Sequence, residues 1–141
     1  MDQQPISAQE FTKRLGQLCL TGRSAELPRK QRDRQIILKS VALHLAKGKT
    51  YSERELNAAL MGWVGEVGHS LQVDHAALRR TLIDEKYLER CADGTAYKLA
   101  APGAAGWFAP EVEEIHPALV IQEAILEAAR KREQFQNRKT E

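Results

Sequence analysis

The sequence predicts a mainly α-helical, winged-helix-like domain with a small β-hairpin wing, extended by an N-terminal helix and a C-terminal helix. Two observations carry this prediction. Apolar residues recur at helical spacing in five segments, and an Asp93-Gly94 pair divides two short strand-like runs between Leu88 and Leu99. From residue 29 to 99 the order is helix, short extended segment, helix, helix and hairpin, as in a winged helix. The extended segment at 49–51 is expected to join the hairpin as a third strand.

Composition narrows the class of protein. The chain has 141 residues, of which 43% are hydrophobic and 28% charged, which fits one globular domain with appendages. No apolar run approaches the roughly 18 residues that span a bilayer, and the first twenty residues lack a signal-peptide core. A cytoplasmic location is therefore expected. Cys19 and Cys91 have no metal-ligand or disulfide spacing and are predicted to pack as small apolar residues.

Four units are predicted. They are an N-terminal helix over 1–26, the winged-helix-like domain over 27–99, a linker over 100–116 and a C-terminal helix over 117–141. The linker begins with a stretch rich in alanine, glycine and proline, from Ala100 to Pro110.

The first two helices have clear end signals. Ser7 is predicted to cap the first helix, with Glu10 reciprocating, and Gly22 is predicted to end it. Its inward residues are Phe11, Leu15 and Leu18. The second helix is predicted to follow Pro28 and run to about Ala46, with Gly48 as its C-cap. Its apolar stripe is Ile37, Val41 and Leu45, with Leu38 beside it.

The third and fourth helices are predicted from their caps. Ser52 and Glu55 form a capping box, and Tyr51 and Leu56 are spaced as a hydrophobic staple. The apolar face of the third helix is Leu56, Ala59, Leu60 and Trp63. A glycine-containing loop is predicted from Val64 to Val73, followed by Asp74 as the next N-cap. The fourth helix is predicted to direct Leu78, Leu82 and Ile83 inward and Arg79 and Arg80 more outward. In the hairpin, Tyr97 and Leu99 are predicted to face the core.

Charge is strongly sorted along the chain. Residues 13–54 hold eleven Lys or Arg against three acidic residues, whereas residues 55–128 hold five against twelve. The segment 129–141 returns to five basic against two acidic residues. The densest basic cluster is Arg29, Lys30, Arg32 and Arg34, which is interpreted either as a phosphate contact or as a solvated helix end.

Two groups of residues carry a resemblance to a bacterial family. The first group is Leu27, Pro28, Arg29, Lys30, Arg34, Ile37, Leu38, Tyr51, Ser52, Glu53, Glu55 and Asn57. The second group is Asp74, Leu78, Arg79, Arg80, Leu82, Asp84, Leu88, Arg90, Gly94 and Tyr97. Over about residues 27–99 they resemble the bacterial domain of unknown function family 2087. The resemblance implies a winged-helix-like module, sometimes attached to helix-turn-helix regulators of the arsenical-resistance type, with no established activity.

The first functional hypothesis is DNA binding in transcription regulation. The helix from Asp74 to Lys86 would enter a major groove, the hairpin would flank it, and the cluster at 29–34 would hold backbone phosphates. The predicted nucleic-acid-binding residues are Arg29, Lys30, Arg32, Arg34, Arg79, Arg80, Lys86, Arg90 and Lys98. Purely structural roles are also open, because Arg80 has the spacing of a salt bridge to Asp84 and Arg79 would be solvated or bridge to the wing. Residues 55–99 are also more acidic than is usual for such a surface.

The second hypothesis is a protein-interaction or self-association module that does not bind DNA. After Pro117 the C-terminal helix has apolar positions Leu119, Ile125, Leu126 and Ala129, which need a surface to bury against. That surface is either the Ser7 helix or a partner. Trp107 and Phe108 either anchor the tail to the domain, which is favoured, or serve the partner.

An enzyme is not expected. His69, Ser70, Asp74 and His75 include the residue types of a hydrolase, but Asp74 already caps a helix and no G-x-S-x-G elbow is present. His69, His75 and Cys91 have no recognised metal-site spacing, and no phosphate loop or dinucleotide fingerprint occurs. The sequence therefore predicts no cofactor and no metal.

Overall fold

The computed structural model describes residues 5–20, 26–68, 71, 73–100 and 107–139, and these contain five α-helices and three short strands. The helices are α1 (Ala8–Leu20), α2 (Gln31–His44), α3 (Glu53–Trp63), α4 (His75–Asp84) and α5 (Pro117–Lys139). The strands are β1 (Tyr51–Ser52), β2 (Leu88–Arg90) and β3 (Ala96–Leu99). The fold is mainly helical with a small antiparallel sheet, as the sequence predicted.

The core lies where α2, α3 and α4 meet. Leu56, Leu60 and Trp63 of α3 are fully buried in one cluster with apolar residues of α2 and α4. The predicted capping box is present, because Ser52 Oγ accepts from Glu55 N at 3.1 Å and Glu55 Oε1 accepts from Ser52 N at 3.0 Å. This cap fixes the first turn of α3 directly after β1.

The three strands form one sheet in the order β1-β3-β2, with both pairings antiparallel. Tyr51 pairs with Tyr97, and Arg90 pairs with Tyr97 on the other side of β3. Gly94 turns the hairpin with φ 74°, as the Asp93-Gly94 pair predicted. The predicted third strand is confirmed at Tyr51, and Tyr97 is buried beneath the sheet.

The connection after α3 differs from the prediction. Val64–Gly68 forms a π-helical turn that continues α3, where a loop was predicted. A Cβ atom at Gly68 would lie 3.0 Å from Cζ3 of Trp63, so glycine permits this close contact. Similarly, α2 ends at His44, and Gly48 lies in the following turn with φ 76° instead of forming the C-cap. The predicted stop at Gly22 lies outside the described residues.

Two bidentate ion pairs join α1 to α2. Arg14 donates to both carboxylate oxygens of Asp33 at 2.8 Å, and Arg32 donates to both oxygens of Glu10 at 2.5 and 2.7 Å. Ser7 caps α1 as predicted, since Ser7 Oγ accepts from Glu10 N at 3.1 Å. The predicted reciprocal role of Glu10 is wrong, because its carboxylate binds Arg32, whose full positive charge is the stronger donor.

The segment predicted as a linker is partly packed on the domain. Ile6 N donates to Trp107 O at 2.7 Å, and Ala109 N donates to Ile6 O at 2.9 Å. The ring of Phe108 meets Phe11 edge to face, with centroids 6.1 Å apart. Residues 110–114 then form a short 3-10 helix in which Val112 is buried. The anchoring role of Phe108 is therefore confirmed.

The C-terminal helix packs on α1 through a face that was not predicted. Pro117 and Ile121 are buried, and Ala124 lies against Gly16 of α1. The predicted apolar positions Leu119, Ile125, Leu126 and Ala129 are exposed instead. Gly16 and Ala124 meet where the two helices pack together. In the part of the chain described, no helix combines the length and apolar character needed to cross a membrane.

The Arg14–Asp33 pair makes stability depend on pH. The hydrogen bonds from Arg14 hold the pKa of Asp33 below its ordinary 3.8 in the folded state, so this contribution is present above pH 3.8 and is lost as the pH falls through the lower folded value. We expect Asp33→Asn to reduce the free energy of unfolding at neutral pH by about 1.5–3 kcal/mol. Urea unfolding of wild type, Asp33→Asn and the exposed control Asp84→Asn measures this. An equal deficit for Asp33→Asn at pH 7 and below pH 3 would contradict it.

Candidate nucleic-acid interface

The interface predicted from sequence centres on α4 and the hairpin. Asp74 Oδ2 accepts from Ala77 N at 3.4 Å and caps α4 as predicted, while Leu78 and Leu82 are fully buried. The opposite side of the helix exposes Ala77, Arg80 and Asp84, which are spaced three and four residues apart. Arg80 therefore points outward as predicted. No ion pair links it to Asp84 among the described residues.

Arg79 does not point outward as predicted. Its side chain is 20% exposed and bridges to α3, where Nη1 donates to Asn57 Oδ1 at 2.5 Å and Nη2 lies 3.4 Å from Glu53 Oε1. Arg79 lies next to the buried Leu78 and Leu82 on α4. From this position its guanidinium reaches the first turns of α3. The interpretation of Arg79 as a bridge to the wing omitted these α3 partners, and its contact with the wing is the ring of Tyr97.

Two guanidinium groups flank the ring of Tyr97. The Cζ atom of Arg79 lies 5.9 Å from the ring centroid, and the Cζ atom of Arg90 lies 5.7 Å from it. Arg90 is exposed and donates from Nε to Gly94 O at 3.3 Å. Glu53, Asn57, Arg79, Arg90 and Tyr97 together form what we call the Tyr97 cluster. Sequence reasoning missed Glu53, Asn57 and Tyr97 as site residues, although all three carry the family resemblance noted above.

Three basic residues of this region line a groove beside the hairpin. The groove has a volume of about 530 Å³ and includes Lys86, Arg90 and Lys98 in its wall, together with Glu89 and the half-buried Cys91. Lys98 Nζ lies 3.9 Å from Glu89 Oε2, and both side chains are more than half exposed. Three cations and one carboxylate therefore border the groove, which suits an anionic ligand. Cys91 does not pack in the core, whereas Cys19 does. Burial raises the pKa of the Cys19 thiol to about 12.

Lys86 has a backbone conformation that favours glycine. Its φ is 71°, and Lys86 N donates to Ile83 O while Tyr87 N donates to Leu82 O. These two bonds define a Schellman motif at the end of α4, in which the left-handed position is normally glycine. A lysine there costs about 1–2 kcal/mol of backbone strain.

The basic cluster at 29–34 divides into engaged and exposed members. Arg32 is paired with Glu10, which raises the pKa of the guanidinium, and Arg34 Nε lies 3.5 Å from Glu85 Oε2. Arg29 and Lys30 are exposed at the start of α2. Only these two members are exposed to solvent as a phosphate contact would require.

The start of α2 lies beside the end of α4. Gln35 donates to Glu85 Oε1 at 3.3 Å, and the Tyr87 hydroxyl donates to Gln35 Oε1 at 2.5 Å. Burial raises the pKa of the Tyr87 hydroxyl, which keeps this donor protonated. The second turn of α2 therefore contacts the end of α4 through Gln35.

Residues considered for catalysis or metal binding do not assemble within the described structure. His69 and Ser70 lie outside the described residues, and His75 Nδ1 is 3.9 Å from Asp74 Oδ1. The described chain holds no group of three or more metal-ligating side chains. The absence of an enzymatic role stays a prediction.

These observations define a class: a mainly helical domain with a small three-stranded sheet, in which arginine, tyrosine and lysine side chains gather around the hairpin. A family model described as "Uncharacterized protein conserved in bacteria", DUF2087, matches residues 23–99. The chain therefore belongs to the DUF2087 family. No curated protein matches the sequence. No solved structure matches it either.

The strain at Lys86 is testable. Because glycine adopts φ 71° without steric conflict, we expect Lys86→Gly to raise the free energy of unfolding by about 0.5–1 kcal/mol. Lys86→Ala, which removes the charge but keeps the Cβ atom, is the matched control and should give no such gain. Urea unfolding of the two variants measures the difference. Equal stability of Lys86→Gly and Lys86→Ala would contradict the strain.

Proposed function

We propose that this protein binds duplex DNA through α4 and the hairpin, as a transcription regulator in the cytoplasm. The observation that carries the proposal is the exposure of Arg80 on the outer side of α4 next to a hairpin whose groove presents Lys86, Arg90 and Lys98. A helix with an exposed outer side, flanked by a hairpin that carries Arg90 and Lys98, fits a major groove and its adjoining phosphates. Arg29 and Lys30, exposed at the start of α2, supply further phosphate contacts in this proposal.

The exposed cations have different roles in this proposal. Arg80 donates two hydrogen bonds to the N7 and O6 atoms of a guanine, because its guanidinium is the most exposed basic group of α4. Arg90, Lys86, Lys98, Arg29 and Lys30 contact phosphates, which carry no sequence information. Arg79 positions the hairpin by linking α3 to Tyr97 and does not itself contact DNA.

The number of basic residues that are not paired within the chain sets the strength of phosphate binding in this proposal. Arg32 and Arg34 are occupied by Glu10 and Glu85, so they add little to phosphate contact. About five phosphate contacts remain, which predict a slope near −4.5 for log affinity against log salt concentration. Binding of this kind is strong at low salt and falls steeply as salt is added.

The salt dependence of DNA affinity distinguishes residues that contact phosphates from a residue that contacts a base. We expect Arg90→Ala to weaken binding to all sequences and to reduce the slope by about 0.9, whereas Arg80→Lys retains the charge but loses the bidentate contact and its preference for guanine. Affinities for a mixed duplex pool at about 50 and 200 mM salt, followed by sequence selection, measure both effects. Lys131→Ala, an exposed cation on α5, is the matched control. No binding at low salt would refute the proposal.

A specific observation also favours the second candidate function, a self-association module. The apolar positions of α5 that were predicted to need a covering surface are exposed in the single chain, with Leu119 at 53% and Leu126 at 59%. Self-association through α5 was offered as an alternative to DNA binding, but it uses an element separate from the hairpin and therefore can be tested independently of it. Its geometry is developed below.

A further inference from the structure

The two sides of α5 differ in what they contact. Ile121 and Ala124 face the domain, and Ile121 is completely buried. At 100° per residue from Ile121, Leu119 and Leu126 fall on the opposite side of the helix, whereas Ala129 falls at the edge of that side, about 80° from Ile121. All three are exposed. The outward side of α5, defined by Leu119 and Leu126 with Ala129 at its edge, presents two leucine side chains to solvent in the single chain.

The second half of α5 extends away from the domain. Every residue from 125 to 136 is exposed, although the helix continues to Lys139. At 1.5 Å per residue, this extension is about 22 Å long. A helix of this length without a packed face is marginally stable in water, because most helical stability in proteins comes from burying one face. The extension therefore requires a partner surface.

Charge along α5 indicates which partner. Residues 117–127 contain Glu123 and Glu127 and no lysine or arginine, whereas residues 128–139 contain five basic residues and only Glu133 as an acid. Within the chain, the only ion pair described on α5 is Arg130 Nη1 to Glu127 Oε2 at 3.9 Å, between two exposed side chains. The first half is thus acidic and the second half basic, which makes the helix complementary to its own reverse.

We propose that the outward face of α5 binds the same face of a second copy of this chain, antiparallel, about a two-fold axis at Leu126. In this arrangement the two Leu126 side chains meet at the centre. Glu123 of each copy lies opposite residues 129 and 130 of the other, within reach of Arg130. A parallel pair would place acidic halves together and basic halves together. In this arrangement the two domains lie at opposite ends of the helix pair.

The apolar part of the interface is tested at Leu126. The full chain should sediment with twice its mass of 15.8 kDa as concentration rises. Leu126→Glu places a charge at the axis and should weaken dimerisation by more than about tenfold, since a buried leucine contributes about 1.5–3 kcal/mol. Gln134→Glu, which adds the same charge on another side of the extension, is the matched control and should still dimerise. A chain that is monomeric at all concentrations, or a dimer unaffected by Leu126→Glu, overturns the proposal.

The antiparallel order is tested by exchanging charges. Glu123→Arg alone places like charges opposite each other in a homodimer, and so does Arg130→Glu alone, so each variant should dimerise more weakly. Mixing the two variants restores opposite charges at both contacts, and heterodimers should form in preference to either homodimer. The double variant Glu123→Arg with Arg130→Glu should recover the wild-type dimer. Failure of both the mixture and the double variant would overturn the antiparallel arrangement.

This inference concerns α5 alone. DNA binding measured with Leu126→Glu at low salt separates it from the proposed function: loss of the dimer with retained DNA binding supports both. The weaker DNA binding of Arg90→Ala should leave the dimer unchanged, and loss of the dimer in that variant would contradict an interface confined to α5.

Discussion

The position of Trp63 fixes the relation between α2 and the rest of the domain. Trp63 is the largest fully buried side chain, and its Nε1 donates to Ser40 Oγ at 3.1 Å while Ser40 Oγ donates to Ile37 O at 2.6 Å. Both polar groups are buried, so neither has water as an alternative partner, and loss of one would leave the other unsatisfied. The edge of the indole rests on Gly68, where no side chain would fit without a shift. One side chain therefore sets the distance from α2 to α3 and the course of the chain after α3.

The candidate site depends on that arrangement through α3. The capping box places the first turn of α3 directly after β1, and β1 pairs with β3 at Tyr97. Glu53 and Asn57 are thereby presented to Arg79, whose guanidinium reaches both α3 and the Tyr97 ring. A tilt of α3 would separate these groups. The hairpin is thus positioned by polar contacts at its base as well as by the sheet.

Local sequence signals predicted most of the fold, whereas pairings between side chains distant in the sequence could not be predicted. Ser52 with Glu55, Asp74, and Asp93-Gly94 each act within four residues, so their outcome is readable from spacing alone. The partner of Glu10 lies 22 residues away and the partner of Arg79 on α3 also lies 22 away, and nothing in the spacing identifies them. The packed face of α5 was missed for a related reason. The helix has apolar residues on two sides, and the side that packs is set by contacts with α1 and other elements distant in the sequence.

Pairings between distant residues also limit what the charge pattern of the sequence predicts. The basic segment 13–54 and the acidic segment 55–128 suggested a surface free to meet phosphates, yet many of those charges bind each other across the fold. Arg34 pairs with Glu85, and Lys39 and Lys47 both pair with Glu113, which follows the packed Phe108 segment. The hydrogen bond from Lys39 holds the pKa of Glu113 below its usual value. Such partly exposed pairs each contribute about 0–1 kcal/mol, so their main effect is to select which segments lie together. The sorted charge of this sequence therefore serves assembly of the domain first, and the cations that stay exposed include those at the start of α2, on α4 and along the hairpin.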